Sequence, residues 1–520
     1  MPAANLTSYT LASILDRAAR LYGERTAIID GDCNWNWSEY VHRIACAASV
    51  LHSMGIRPGQ RFAIISHNSC QVAELINAGY WMGAVPVPIN YRLAPAEMAY
   101  ILTDADIRLL VIEDRFSALL DDACFSDWSK NILLLSRRKV ESSLPQYLDR
   151  MEAENPAAIH VSDPDDDALL LYTGGTTGRS KGVRLSHANI LANAVQIGLA
   201  ISARETDRFL HILPMFHSAD LFGTIFTLTG GVHVYVSEFS AENLLQAVHD
   251  HGITVLSLAP TTIIIALQYA GFDSYNTGSI RLITYGSAPM AVEWIRKAMQ
   301  KFPNSCLQQS YGLTETSPIL TTLTYEEHQR VLATGNYDLL RSVGKPLVNI
   351  DLQIVDDDDR PLATGEVGEV VVRGPNVTKG YLGLDEQNRE TFRNGWFHTG
   401  DIGTLDASGN LFLKDRKKDM IITGSENVYS SEVEAALYKH PHVHEAAVIG
   451  VPDEKWGEAV FAVIVTAPGE TLTEEDVITH CRQHIGGFKI PRRMAFVDEL
   501  PKSAMGKILK TELRQRYSST

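Results

Sequence analysis

The chain has 520 residues, with 46 lysines and arginines against 62 aspartates and glutamates, a formal net charge of -16 at pH 7. Hydrophobic residues are 45% and charged residues 21%, which excludes wholesale disorder; the length leaves room for about three units of roughly 150 residues each. The acidic balance argues against a nucleic-acid backbone or an anionic membrane as the main partner, and a small polyanionic ligand would need a few placed cations and amides.

Residues 1–15 lack the basic start and long apolar run of a secretory signal. Residues 11–54 mix polar and apolar side chains at three-to-four spacing and predict helix. Apolar runs at 61–66 (RFAIIS), 84–88 (AVPVP) and 107–112 (IRLLVI) predict buried strands, with a helix over 73–82. The alternation resumes at 168–172, 254–258 and 280–285. This is the pattern of an α/β multidomain protein whose large N-terminal part holds layered α/β sheets. The most apolar stretch, 253–270, contains Pro260, Thr261, Thr262 and Gln268; it reads as core strand plus helix, and no membrane span is expected.

The texture changes near Ile350. Residues 351–373 read as strand, acidic turn (356–360) and strand, which predicts a small β-rich portion over about 345–413. Ser431-x-x-Glu434 predicts a capping box opening a helix through Leu437. Residues 446–451 and 459–465 predict strands, and Thr473 opens another helix, so the C-terminal hundred residues predict a small α+β domain. Six cysteines are scattered without a C-x-x-C pair and read as isolated reduced thiols. With the end Tyr517-Ser518-Ser519-Thr520, which is no peroxisomal address, they make a cytoplasmic location the expectation.

The stretch Tyr172-Thr173-Gly174-Gly175-Thr176-Thr177-Gly178-Arg179-Ser180-Lys181 lies between an apolar strand and residues 183–185, a returning strand. Glycines let backbone amides converge on an anion, threonine hydroxyls add donors, and Lys181 adds charge. It is not a Walker loop, which puts its lysine directly after the last glycine and runs straight into a helix. Ser186 is the expected cap of the next helix, with Leu191, Ala194, Val195 and Gly198 on its packed face.

Six further blocks follow in order: Leu213-Pro-Met-Phe-His217, Gly286-Ser287-Ala288-Pro289, Ser310-Tyr311-Gly312-Leu-Thr314-Glu315, Gly395-Trp-Phe-His-Thr-Gly-Asp401, Asp415-Arg416-Lys-Lys418-Asp-Met-Ile-Ile422 and Lys502-Ser-Ala-Met-Gly-Lys507. The ordered set, spread over nearly the whole chain, resembles the adenylate-forming acyl-CoA ligases, relatives of 4-coumarate–CoA ligase, fatty-acyl-CoA synthetases and firefly luciferase. The resemblance implies that a carboxylic acid attacks the α-phosphorus of ATP, giving acyl-adenylate and pyrophosphate, and that CoA thiol then takes the acyl group. ATP, Mg2+ and CoA are the implied cofactor and co-substrates, and the resemblance admits a homodimer.

By that resemblance, Glu315 is the metal ligand, Thr314 a phosphate hydroxyl, and Lys507 the lysine bridging substrate carboxylate and α-phosphate. The nucleotide falls to Thr173, Gly174, Gly175, Thr176, Thr177, Gly178 and Lys181 at the phosphates, and to Gly286, Ser287, Ala288, Ser310, Tyr311 and Gly312 at adenine. Asp401 accepts the ribose hydroxyls, backed by Arg416. His217, Ser218, Pro260, Gly286, Gly312 and Pro318 surround the acid, and Gly424, Ser425 and Glu426 line the CoA tunnel. Domains of 1–417 and 418–520 are implied, the second mobile about a hinge at Lys418, because one cavity cannot hold departing pyrophosphate and entering thiol on the same line. Taken alone, several of these residues have plainer readings: Asp401 a turn residue, Tyr311 core, His217 a satisfied histidine rather than a base.

Four departures from the family pattern stand out. Gly174 replaces a usual serine, Ser180 a proline, Ser425 the second glycine of a pair, and Met505 the serine of Ser-Gly-Lys. No charge and no metal ligand is lost by them. The acid-side segments 213–222, 259–265 and 311–320 carry no lysine or arginine, which favours a fatty or an aryl or cyclic monocarboxylic acid. Alternative outcomes are an enzyme loading a carrier-protein phosphopantetheine, a luciferase-like oxidoreductase, or a ligand-binding homologue without catalysis.

Overall fold

The computed structural model describes residues 9–128, 131–173, 180–288, 290–335, 337–423, 426–453, 456–502 and 508–518. The chain divides into two units, one of residues 1–351 with 373–395 and one of 352–372 with 396–520.

In the first unit, a nine-stranded sheet runs Lys345–Pro346, Thr321–Leu323, Cys306–Tyr311, Leu282–Gly286, Val255–Leu258, Arg208–His211, Val232–Tyr235, Thr26–Asp30, Cys33–Asn36. The six strands from Cys306–Tyr311 to Thr26–Asp30 pair in parallel, and antiparallel strands close both edges. Most of their runs are apolar with little alternation, as strands covered on both faces require, whereas Cys306–Tyr311 buries Gln308, Gln309 and Ser310. A second parallel sheet orders Val85–Pro88, Arg61–Ile65, Ile107–Glu113, Ile132–Leu135, and Asp167–Thr173 pairs antiparallel with Lys181–Ser186. The strands expected at 61–66, 84–88, 107–112, 168–172, 254–258 and 280–285 are all present within a few residues.

Two expectations fail here. Residues 11–54 are not one helical region: helices Leu11–Tyr22 and Trp37–Ser53 flank the hairpin of Thr26–Asp30 and Cys33–Asn36. Its β-branched Thr26, Ile28 and Ile29 prefer strand, and Gly31, at φ +58°, makes the turn. On the helix His187–Ile201, Val195 is 46% exposed and does not join Leu191 and Ala194 in the packed face; Asn193 and Gln196 are buried in its place. Ser186 does cap that helix, accepting from Asn189 N.

In the second unit, strands Asp351–Val355, Gly368–Arg373, Trp396–Leu405 and Leu411–Arg416 build one sheet. The turn between the first two is tied by Asp356, whose Oδ1 accepts from the amides of Asp358 and Arg360. Another sheet orders Glu426–Val428, Ile421–Thr423, Gly457–Thr466, Val443–Asp453, with Arg493–Phe496 parallel to Gly457–Thr466. Alternation divides its side chains. Ala446, Val448, Val460, Ala462 and Ile464 pack with Val433, Leu437, Val477 and Cys481, while Ala447, Ile449, Val451, Phe461 and Val463 pack with Leu513. Thr473 caps Glu474–Arg482 in a box with Asp476. The box expected from Ser431 and Glu434 does not form: the helix is Ser430–Leu437, and Asp415 Oδ2 accepts from Ser430 Oγ at 2.6 Å and from the Ser430 and Ser431 amides. Glu434 instead meets Lys510 at 2.7 Å. Among the described residues no helix is long and apolar enough to cross a membrane.

Candidate active site

Within the first unit, the predicted adenine and acid residues gather at the carboxyl ends of neighbouring parallel strands, where open α/β sheets bind ligands. Leu282–Gly286 and Cys306–Tyr311 run in register with Gly286 opposite Ser310, and Thr284 Oγ1 lies 2.8 Å from Ser310 Oγ. A Cβ on Gly286 would stand 2.3 Å from Ser310 O, so only glycine lets the strands close here. Beyond it, Ser287 (φ +70°) and Ala288 are exposed. Pro260 opens the helix Pro260–Gln268 directly after Val255–Leu258, the other neighbour of Leu282–Gly286.

After half-buried Tyr311 the chain folds back through Gly312, whose Cβ would meet Pro318 O at 1.9 Å, and Leu320 N returns to Tyr311 O at 2.8 Å. The Ser317–Pro318 bond is cis. Buried side chains hold this turn from outside. Asn193 donates to Ile319 O (2.7 Å) and accepts from Ile319 N (3.0 Å), and Asn376 Nδ2 donates to Thr316 O (2.8 Å). Thr314 and Glu315 therefore sit on fixed backbone. Thr314 Oγ1 lies 3.1 Å from Ser218 Oγ, both buried. His217 precedes Ser218, half-buried, its Nδ1 accepting from Ala219 N at 3.2 Å, a capping bond rather than the geometry of a base. The segment before it is gripped by Asn68, which donates to Leu213 O (2.8 Å) and accepts from Met215 N (2.9 Å).

On the phosphate side, Thr173 ends one strand opposite Lys181, which begins the next. Gly174, Gly175, Thr176, Thr177 and Gly178, between them, lie outside the described residues. The Lys181 side chain is buried, with Nζ 5.4 Å from the ring centroid of Tyr381, and the Tyr381 hydroxyl donates to Glu315 Oε1 at 2.8 Å. Backbone pairing places that tyrosine: Tyr381 bridges Val183, Leu382 N donates to Gly182 O (2.8 Å), Arg184 N to Gly380 O (3.1 Å), and Thr378 N to Glu315 O (2.8 Å). Sequence reasoning missed Tyr381, Asn68, Asn193 and Asn376. The one signal was an aromatic after glycine in Val377-Thr-Lys-Gly-Tyr381.

In the second unit, Asp401 and Arg416 are cross-strand partners, with Arg416 Nε 2.7 Å from Asp401 Oδ1, and Asp401 is buried. The bond fixes the orientation of the carboxylate within the sheet. Burial draws the Lys418 ammonium below the usual lysine range, against the pull of Asp419; Arg416, Arg514 and Lys510 push the same way as burial. Glu426 is exposed at the start of Glu426–Val428. Gly424, Ser425 and Lys507 lie outside the described residues.

A carboxylate on a fixed turn, with a hydroxyl next to it in sequence and a lysine reached through Tyr381, has the chemistry a metal-chelated triphosphate needs, since Mg2+ ordinarily takes one or two carboxylates together with substrate phosphates. The family described as AMP-binding enzyme matches residues 15–382, and its C-terminal domain matches 432–507. The chain belongs to the AMP-binding enzyme family. This AMP-binding enzyme is 33% identical over 504 residues to a feruloyl-CoA synthase of Amycolatopsis sp, covering 96% of this chain and 98% of that protein. It is 34% identical over 530 residues to a 3-[(3aS,4S,7aS)-7a-methyl-1,5-dioxo-octahydro-1H-inden-4-yl]propanoyl:CoA ligase of Rhodococcus jostii (97% and 98% covered). Among solved structures it resembles o-succinylbenzoate CoA synthetase of Bacillus subtilis in complex with its acyl-adenylate intermediate, at TM-score 0.85 and 29% identity (98% and 99% covered). It is thus an AMP-forming acid–thiol ligase of the adenylate-forming acyl-CoA ligase superfamily, with ATP and CoA as co-substrates.

Proposed function

We propose that this ligase activates an aryl or cyclic monocarboxylic acid, with the residues above in the following roles. The acid lies beside His217, Ser218, Pro260, Gly286, Gly312 and Pro318, in segments 213–222, 259–265 and 311–320 that carry no lysine or arginine for a second carboxylate. Adenine stacks on Tyr311, with the backbone at Gly286, Ser287 and Ala288 against its edge. Thr314, the loop of Thr173 to Gly178 and Lys181 hold the phosphates, and Asp401, steadied by Arg416, takes the ribose hydroxyls. Mg2+, held by Glu315, would screen the repulsion between the incoming carboxylate and the triphosphate. Lys507 bridges the two reacting anions in the first half-reaction. The segment after Lys418 then turns, and Gly424, Ser425 and Glu426 line the path of the thiol. A cytoplasmic setting suits the six cysteines, all unpaired.

The observation that carries this reading is the grouping around Thr314 and Glu315: one clamped turn reaches Ser218 on the acid side and, through Tyr381, Lys181 on the phosphate side. Support for a ring-bearing acid comes from the feruloyl and octahydro-indenyl-propanoyl ligases among the relatives. The test is ATP–pyrophosphate exchange over a panel of acids graded in ring content and chain length, with AMP release followed with and without CoA. A ring-bearing monocarboxylate should support exchange and give AMP continuously only with CoA. Exchange without any CoA-dependent product would instead mark a carrier-protein acceptor, and a preference for long unbranched chains would overturn the ring assignment. Lys507→Ala should abolish exchange yet still convert a supplied acyl-adenylate to thioester. Equal loss of both half-reactions in a folded variant refutes its role.

A further inference from the structure

Tyr381 makes contacts that the roles above leave unused. It is only 8% exposed, and its backbone is held on both sides: by the bridge to Val183, and by Asn388, whose Oδ1 accepts from Tyr381 N (2.8 Å) and whose Nδ2 donates to Tyr381 O (2.9 Å). Its ring also packs on Phe392 at 6.1 Å. The phenol is therefore the most tightly held member of the group, whereas Glu315 and Lys181 reach it on long side chains with several rotatable bonds. Each meets the phenol through a neutral group, Glu315 the O–H at 2.8 Å and Lys181 the ring face at 5.4 Å. A neutral donor orders a carboxylate without cancelling its charge, and an aromatic face does the same for an ammonium.

We propose that Tyr381 is a positioning residue that pre-sets the Glu315 carboxylate for the cation accompanying ATP, with the Lys181 ammonium held on its ring for the phosphates. This rests on the reading of Glu315 as metal ligand. Without the hydroxyl, Glu315 must be ordered at the moment the cation binds, and affinity for the cation falls; binding of the acid, on the other side of the turn, is untouched.

The experiment compares wild type with Tyr381→Phe, which keeps the ring, Glu315→Gln, and the double variant. Mn2+ binding to each protein with ATP but no acid is followed by electron paramagnetic resonance, alongside the Mg2+ dependence of pyrophosphate exchange. Tyr381→Phe should weaken Mn2+ binding and raise the half-saturating Mg2+ by about tenfold, the effect of one hydrogen bond to a charged group, with KM for the acid unchanged. In the double variant the tyrosine change should add nothing to the loss from Glu315→Gln. Wild-type Mn2+ affinity in Tyr381→Phe, beside a weakened Glu315→Gln, overturns the proposal and leaves the metal reading standing. Unchanged affinity in Glu315→Gln overturns that reading itself. Additive losses in the double variant also overturn the proposal, because the phenol would then act elsewhere. If Tyr381→Phe does not fold, Asn388→Ala, which removes the clamp on the Tyr381 backbone and leaves Glu315 unchanged, replaces it and should show weakened Mn2+ binding; wild-type affinity there, beside a weakened Glu315→Gln, refutes the proposal.

Discussion

Asn193 offers the sharpest test of how the turn bearing Thr314 and Glu315 is held. Its side chain is fully buried, and it satisfies both backbone groups of Ile319 while donating to Gln196 Oε1 at 2.9 Å. Asn193→Ala leaves the Ile319 N–H, the Ile319 carbonyl and the Gln196 oxygen without this partner. Each buried group so stranded costs about 1–3 kcal/mol. Ile319 is only half-buried and water can reach part of it, so the net cost to the turn is about 2–3 kcal/mol. Local opening of that size speeds amide exchange by roughly 30- to 150-fold. Hydrogen–deuterium exchange by mass spectrometry on peptides spanning 311–320 reads it directly, with peptides from Arg61–Ile65 as the unchanged reference. Asn193→Asp should be worse than alanine, since it turns an acceptor toward the Ile319 carbonyl and the Gln196 oxygen. Exchange in 311–320 within threefold of wild type for the alanine variant would show that the turn is held by its own backbone and not by Asn193.

Two further predictions concern stability. Burial pushes the His187 imidazole down to about 4, outweighing the opposing charge of Asp166, and its Nδ1 accepts from Leu11 N at 3.3 Å. The folded state thus holds the neutral ring: its contribution is complete above the unfolded value near 6.5 and is lost as pH falls toward 4, by about 3 kcal/mol in all. Denaturant midpoints measured at pH 7 and pH 4.5 should converge in His187→Gln relative to wild type, and an unaltered pH slope refutes the assignment. At Gly312, a Cβ would press on backbone alone, 1.9 Å from Pro318 O and 2.9 Å from Ile319 Cα, with nothing able to rotate away. Gly312→Ala should exceed the usual overpacking cost of about 1–3 kcal/mol and lower acid-dependent exchange at least tenfold, whereas Gly487→Ala, with open space around it, should leave the melting temperature within about 1 °C.

The α/β layering was legible because buried parallel strands write themselves as short apolar runs, and the tight turn at Gly312 because glycine stands where a side chain would strike backbone. The hairpin at Thr26–Asn36 was not, since Ile28 and Ile29 fit a helical stripe as well as a strand. Capping shows the same limit. Ser431 and Glu434 carry the local pattern of a box, but Asp415, brought in by a preceding strand, outcompetes it. Likewise the polar clamps on the site, Asn68, Asn193, Asn376 and Tyr381, bond to partners far along the chain, and no local periodicity records such a bond. Burial of Asn193 and Gln196 in place of Val195 follows from the same cause: two amides turned inward serve the backbone of Ile319 and Val348.

The polypeptide leaves the first unit after Asp351 and re-enters it at Arg373, and that returning piece supplies Thr378 to Leu382 beside the Lys181 strand. Thr378 and Arg184, hydrogen-bonded neighbours, are 194 residues apart. At ribosomal rates of about 5–20 residues per second, the Lys181 hairpin waits roughly 10–40 s on the nascent chain before its companion segment exists. No N-terminal fragment ending short of Arg373 contains the segment that pairs with Gly182 to Arg184, and any swap of modules between relatives must carry residues 373–395 with the N-terminal partner although they lie beyond the first crossover.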